Sequence, residues 1–150
     1  MFARYNMGAA ARAELSECPG FNDSFVVTSL TVPGFKDLAV AAKNLIERRG
    51  AAIVVALGMP GRAAIDKQCA HEASLGIMQA QLMTSTAILE VFVHEDEADD
   101  PAELAAVMEN RSRAHARNAY WMIFAPDELA RRAGQGIRQG FADAGPLTGT

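Results

Sequence analysis

Three stretches of the chain concentrate side chains able to move protons or hold polar ligands. His94-Glu95-Asp96-Glu97 sets an imidazole beside three carboxylates, and a histidine tuned by neighbouring carboxylates suits acid–base work near neutral pH. The same oxygen-rich run offers hard ligands to Mg2+; its plainer reading is a solvated loop. Asp66, Lys67, His71 and Glu72 fall on the first turns of a helical stretch. His71-Glu72 does not extend to a zinc-protease motif, because Leu75 stands where the second histidine must be. Pro33-Gly34-Phe35-Lys36-Asp37 opens another helix, whose first amides attract polar groups. Asp37 there can accept hydroxyl donors, or simply complement the helix N-terminus. Gly58-Met59-Pro60-Gly61 lacks the Lys-Ser/Thr pair of a phosphate loop; it is either a plain turn or a place where a ligand edge meets the backbone.

Other features read more plainly. Gly134, Gly136 and Gly140 have the wrong spacing for a dinucleotide fingerprint. His115, close in sequence to Arg111 and Arg113, reads as a surface residue. The Met-rich stretch from Met78 to Met83 reads as core or subunit interface. No GxSxG elbow supports a serine nucleophile.

The candidate residues need elements to position them. Phe25 to Val32 (FVVTSLTV) is rich in β-branched residues and predicts a strand. Ala51 to Leu57 is continuously apolar, as a parallel strand covered on both faces should be, and Ala87 to His94 is a third candidate. Between and after them lie helical patterns over Lys36 to Arg49, Ala63 to Met83 and Pro101 to Phe124, with a further helix from Asp127. Arg48 and Arg49 suit a helix C-terminus, and Gly50 its cap. Alternating strands and helices mean βαβ units and a parallel sheet, with ligands beyond the carboxyl ends of the strands. That rule selects the loops Thr31 to Asp37, Gly58 to Arg62 and His94 to Asp100, where the candidate residues cluster. Met1 to Ser16 reads as a loop entering a helix with no strand before it, which leaves the pattern incomplete.

The 150 residues are the size of a single domain. The net charge of −4 and the lack of a basic stripe argue against nucleic acid as a partner. Cys18 and Cys69 form no CxxC pair, which fits a reducing compartment. No apolar run reaches the ~18 residues of a membrane span, and no signal-peptide pattern opens the chain. The expectation is a cytoplasmic protein without a membrane partner.

Several long segments together resemble one family. TVPGFKDLAVAAKNL (Thr31 to Leu45), VALGMPGRAAIDKQCAHEASLGIMQAQLM (Val55 to Met83), VFVHEDEA (Val91 to Ala98) and LARRAGQGIRQGFADAGP (Leu129 to Pro146) are similar to the archaeal-type riboflavin synthases, relatives of lumazine synthase. The resemblance implies a flavodoxin-like αβα sandwich with a parallel sheet, assembled as a homopentamer with active sites between subunits. It implies a dismutation in which one 6,7-dimethyl-8-ribityllumazine gives a four-carbon unit to another, yielding riboflavin and 5-amino-6-(D-ribitylamino)uracil. No organic cofactor is implied, while Mg2+ is compatible with the acidic loop.

By the same resemblance, Phe2 stacks on a lumazine ring, and Pro33, Gly34, Phe35, Lys36 and Asp37 hold the ribityl chain. Gly58, Met59, Pro60 and Gly61 meet a pyrimidine edge. Asp66 and Glu72, with Val93, complete the substrate contacts. His94 and Glu95 are the implied proton-transfer residues, with Lys67 and His71 beside them. The family opens with a strand ending in a TTFAR-like motif; Phe2-Ala3-Arg4 matches its end, and the strand itself is missing. Lumazine synthase is the nearest alternative, but its histidine-bearing GATTHYDYV-like loop corresponds here to GMPGRAAIDKQC, with no histidine before His71. A catalytically silent lumazine- or flavin-binding pentamer is the other.

Overall fold

The computed structural model describes residues 3–147. Two strands, β1 (Val54–Gly58) and β2 (Ile88–Phe92), pair in parallel, with Val54 opposite Ile88 and Gly58 opposite Phe92. Parallel neighbours require a crossover rather than a hairpin, and α3 (Ala64–Thr84) provides it. The other helices are α1 (Met7–Ser16), α2 (Leu38–Arg49), α4 (Pro101–Phe124) and α5 (Pro126–Arg132).

Alternation along the strands divides the core in two. Val54, Ala56 and Ile88 pack with Ala42 of α2 and Ile77 and Ala80 of α3. Val55, Leu57, Val91 and Val93 pack with Met7 of α1 and Leu104, Val107 and Met108 of α4. The sheet is therefore sandwiched between two helical layers, the αβα arrangement expected from the sequence.

Local signals set the helix ends. Gly50 adopts a left-handed conformation (φ 70°) and its N–H donates to the Ile46 and Leu45 carbonyls. The Asp100 carboxylate accepts the N–H groups of Ala102 and Glu103 ahead of Pro101. The helix expected from Lys36 starts later, because Phe35–Asp37 forms one 3-10 turn before α2. The expected helix from Asp127 begins one residue earlier, with Pro126 in its first turn.

The first expected strand does not form. Phe25 to Val32 runs without a strand ladder; Phe25 makes an isolated bridge with Phe21, and the Val27 carbonyl accepts Arg12. β-Branched residues favour extended backbone, but a strand needs a paired neighbour and a buried face. Here Val26 is 73% and Leu30 57% exposed. Among the described residues the sheet has two strands, and no described segment pairs with the far edge of β1.

Candidate active site

The carboxyl ends of β1 and β2 are bound to each other by their own loops. The Val93 N–H donates to the Gly58 carbonyl at 3.0 Å, and the Glu95 N–H to the Pro60 carbonyl at 2.8 Å. Met59, Pro60 and Val93 are fully buried. Those two carbonyls of the Gly58–Gly61 turn thus brace the histidine loop. Gly58 also makes room for two rings: a Cβ there would stand 2.6 Å from Phe35 and 3.0 Å from Phe92, which meet edge to face at 5.2 Å between centroids.

His94 stands at the end of β2, before a 3-10 turn over Glu95–Glu97. Its backbone N–H donates to Glu97 Oε1 at 2.8 Å. Arg111 of α4 reaches back with Nη1 to the Phe92 carbonyl (3.0 Å) and to Glu97 Oε1 (2.9 Å), and with Nη2 to Glu97 Oε2 (2.5 Å). Burial pushes the Glu97 carboxyl up, but the Arg111 hydrogen bond and the His94 N–H outweigh it and leave the group below the usual glutamate range. Asp96 is likewise lowered, chiefly by the Lys67 ammonium at 2.5 Å.

A cavity of about 410 Å3 opens along β2 between α3 and α4. Lys67, His71 and Ser74 line it from α3, Glu90, Phe92 and His94 from β2 and its end, and Arg111 and His115 from α4. Ser74 Oγ donates to the Glu90 carboxylate at 2.8 Å. The Nδ1 of His94 is buried without a partner among the described residues. A buried polar atom left unpaired costs about 1–3 kcal/mol. His115 is held below the ordinary histidine range, by burial first and by Arg111 second.

Three of the expected catalytic residues, Lys67, His71 and His94, are thus brought together. Glu95 is not among the lining residues; its carboxylate faces Arg4 at 3.7 Å and Arg62 at 3.6 Å. The expected substrate-binding residues collect elsewhere. Lys36 pairs with Glu72 at 2.5 Å, joining the Pro33–Asp37 turn to the side of α3 next to the one carrying His71, as the ~100° between helical neighbours requires. Asp37 Oδ2 accepts the Gly34 N–H at 3.2 Å, the local turn role its sequence also allowed. A Cβ on Gly61 would collide with the Asp66 carboxyl, so these two pack against each other. Phe2 lies outside the described residues.

The sequence reading passed over Ser74, Glu90 and Arg111, and its reading of His115 as a surface residue is corrected, because that side chain is half-buried and lines the cavity. Their spacing carried a signal: Lys67, His71 and Ser74 recur at four and three residues, and Arg111 and His115 at four, each set on one helix face. Among the described residues, no group of three or more His, Cys, Asp or Glu side chains is placed to hold a metal ion. The acidic run does not fit a Mg2+ site, since Glu95, Asp96 and Glu97 each face a cation already.

Comparison with known proteins places this sandwich in a class. The model of the 6,7-dimethyl-8-ribityllumazine synthase family matches residues 2–126, and the chain belongs to that family. Its curated relatives carry the name riboflavin synthase. That of Methanothermobacter thermautotrophicus is 58% identical over 97% of this chain and 94% of its own length. That of Methanothermobacter marburgensis is 55% identical over the same shares, and that of Archaeoglobus fulgidus 42% identical over 97% and 93%.

Proposed function

We propose that this protein is a riboflavin synthase that converts two molecules of 6,7-dimethyl-8-ribityllumazine into riboflavin and 5-amino-6-(D-ribitylamino)uracil. The observation that carries the reading is the 58% identity with a riboflavin synthase across nearly the full length of both chains. The reaction balances in itself: the four carbons one lumazine loses are those the other gains, so no external oxidant or reductant enters. The reading therefore needs no organic cofactor.

The C7 methyl of the lumazine loses its proton readily, because the resulting anion spreads into the ring. In this reading His94, with Lys67 and His71 across the cavity, moves that proton. General acid–base assistance contributes typically ~10²–10⁴-fold. Holding two identical rings in opposite orientations is the larger task, and orientation supplies roughly 7–11 kcal/mol. The Phe35–Phe92 pair, the Pro33–Asp37 turn and Glu72 are assigned to substrate binding.

The reading includes a cytoplasmic homopentamer. Leu75, Met78 and Leu82 recur along α3 at helical spacing, and all three side chains are exposed, an apolar stripe that suits a subunit contact. No helix among the described residues is long and apolar enough to cross a membrane. Light scattering of the purified protein tests the assembly: a pentamer is expected, and a stable monomer at micromolar concentration contradicts it.

The family's own description favours one other reading, a lumazine-forming enzyme. Incubating the purified protein with 6,7-dimethyl-8-ribityllumazine alone and separating the products decides. Riboflavin together with the ribitylaminouracil supports the synthase proposed here. An unchanged lumazine leaves the lumazine synthase reading.

A further inference from the structure

On another side of α4 lies a second cavity, of about 470 Å3, which shares no lining residue with the histidine cavity. Four arginines line it: Arg113 and Arg117 from α4, Arg132 from α5 and Arg138 from the segment that follows. The chain has only 14 Lys and Arg in all and a net charge of −4, so this concentration runs against its overall balance. One lining residue is a carboxylate, Glu14 of α1. It is engaged with Arg117 at 2.6 Å and Arg113 at 3.4 Å, and Arg113 also meets Glu109 at 3.1 Å. The guanidinium groups of Arg132 and Arg138 have no carboxylate partner among the described residues, although the Arg138 backbone N–H donates to the Asp143 carboxylate at 2.8 Å. The Arg132 guanidinium instead lies 4.4 Å from the centre of the Trp121 ring, in a cation–π contact.

Like charges gathered in a cleft repel one another, and an anion entering it relieves the repulsion. The guanidinium fork matches phosphate oxygens two at a time. Two guanidinium groups without a carboxylate, presented by separate elements beside an already neutralised pair, suit a doubly charged tetrahedral group. The geometry points to a binding site for a phosphate group, free or carried by a small sugar, in the cavity lined by Arg132, Arg138 and Trp121. The inference stands apart from the riboflavin-forming reading, because the substrate and products of that reaction carry no phosphate and the cavity uses none of its residues.

Trp121 is the sole tryptophan of the chain, so intrinsic fluorescence reads this cavity directly. The whole protein is titrated with inorganic phosphate, pyrophosphate and ribose 5-phosphate, and with sulfate at matched ionic strength. The expected result is a saturable fluorescence change with a phosphate ligand and a weaker one with sulfate. Arg138→Ala, which leaves the ring contact in place, should weaken binding about tenfold or more, as loss of a charged hydrogen-bonding partner does. Arg132→Ala, followed by calorimetry because it alters the tryptophan's surroundings, should do the same. Tighter binding of ribose 5-phosphate than of inorganic phosphate identifies a sugar phosphate as the ligand; the reverse order identifies the free anion. A linear response equal for sulfate and phosphate, or parent-like binding by both variants, overturns the proposal.

Discussion

Arg111 grips both carboxylate oxygens of Glu97 while its Nη1 also donates to the Phe92 carbonyl. Because Glu97 in turn accepts the His94 N–H, one ion pair fixes α4, the end of β2 and the turn that carries the histidine. Both side chains are largely buried, at 13% and 20% exposure, so the pair is less screened than a surface one. Arg111→Ala should destabilise the protein by about 1.5–3 kcal/mol in urea unfolding. Since Glu97 titrates below its ordinary range in the folded state, the stability it contributes is present above the unfolded glutamate range and lost as pH falls through the folded value. Acid unfolding of Glu97→Gln should therefore show a shallower loss below about pH 4.5 than the parent.

His115 works in the opposite sense to a stabilised charge. Burial, and then Arg111, lowers its folded pKa, so the unfolded chain takes up a proton that the folded chain resists. Its contribution is complete above the unfolded value of about 6.5 and declines as pH falls from there towards the folded value. In His115→Gln, the fall in unfolding free energy between about pH 6.5 and pH 5 should be smaller than in the parent. Equal slopes in the two proteins would show that His115 is not held neutral by the fold.

Gly58→Ala tests how the two loops meet. Its methyl would stand 2.6 Å from Phe35, too close for that ring to remain where it is, and 3.0 Å from Phe92, which must give slightly. Overpacking of this kind costs typically about 1–3 kcal/mol. A melting temperature reduced by several degrees and weakened substrate binding are the expected outcome. Unchanged stability would mean that the Phe35 ring moves away without loss.

His94→Ala should lower kcat more than it raises KM while leaving measurable turnover. The imidazole lines the cavity at the end of β2, where open α/β sheets place their ligands. The substrate's own acidity and the pairing of two oriented rings remain in the variant, so the loss should be about 10²-fold or less. Steady-state kinetics from about pH 5 to 9, spanning the imidazole range, checks this. A variant indistinguishable from the parent at every pH would move the proton-transfer role to Lys67 or His71.

The elements legible in the sequence were those whose signals are local. Gly50 and Pro101 mark helix ends through local backbone preferences, and the uninterrupted apolar run around Val54 announces a strand covered on both faces. Phe25 to Val32 misled because its composition specifies extended backbone and says nothing of a partner strand. The site was half legible for a related reason. Strand-end loops pointed to His94 and the family resemblance to Lys67 and His71 on α3, but Arg111 and Glu90 join them through helix and sheet packing that no local pattern announces. The acidic run hid the cations opposite it: Arg4, Arg62, Lys67 and Arg111 come from four other parts of the chain.

The most direct test of the central claim is the stoichiometry of a complete reaction. Purified protein is mixed with 6,7-dimethyl-8-ribityllumazine and nothing else, and substrate and both products are quantified over time. A dismutation consumes two lumazines for each riboflavin and releases one 5-amino-6-(D-ribitylamino)uracil, with no lag that an added nucleotide or flavin would remove. Riboflavin formed without the uracil in equal amount, or lumazine left unconsumed by active-site concentrations of the folded protein, would contradict the account.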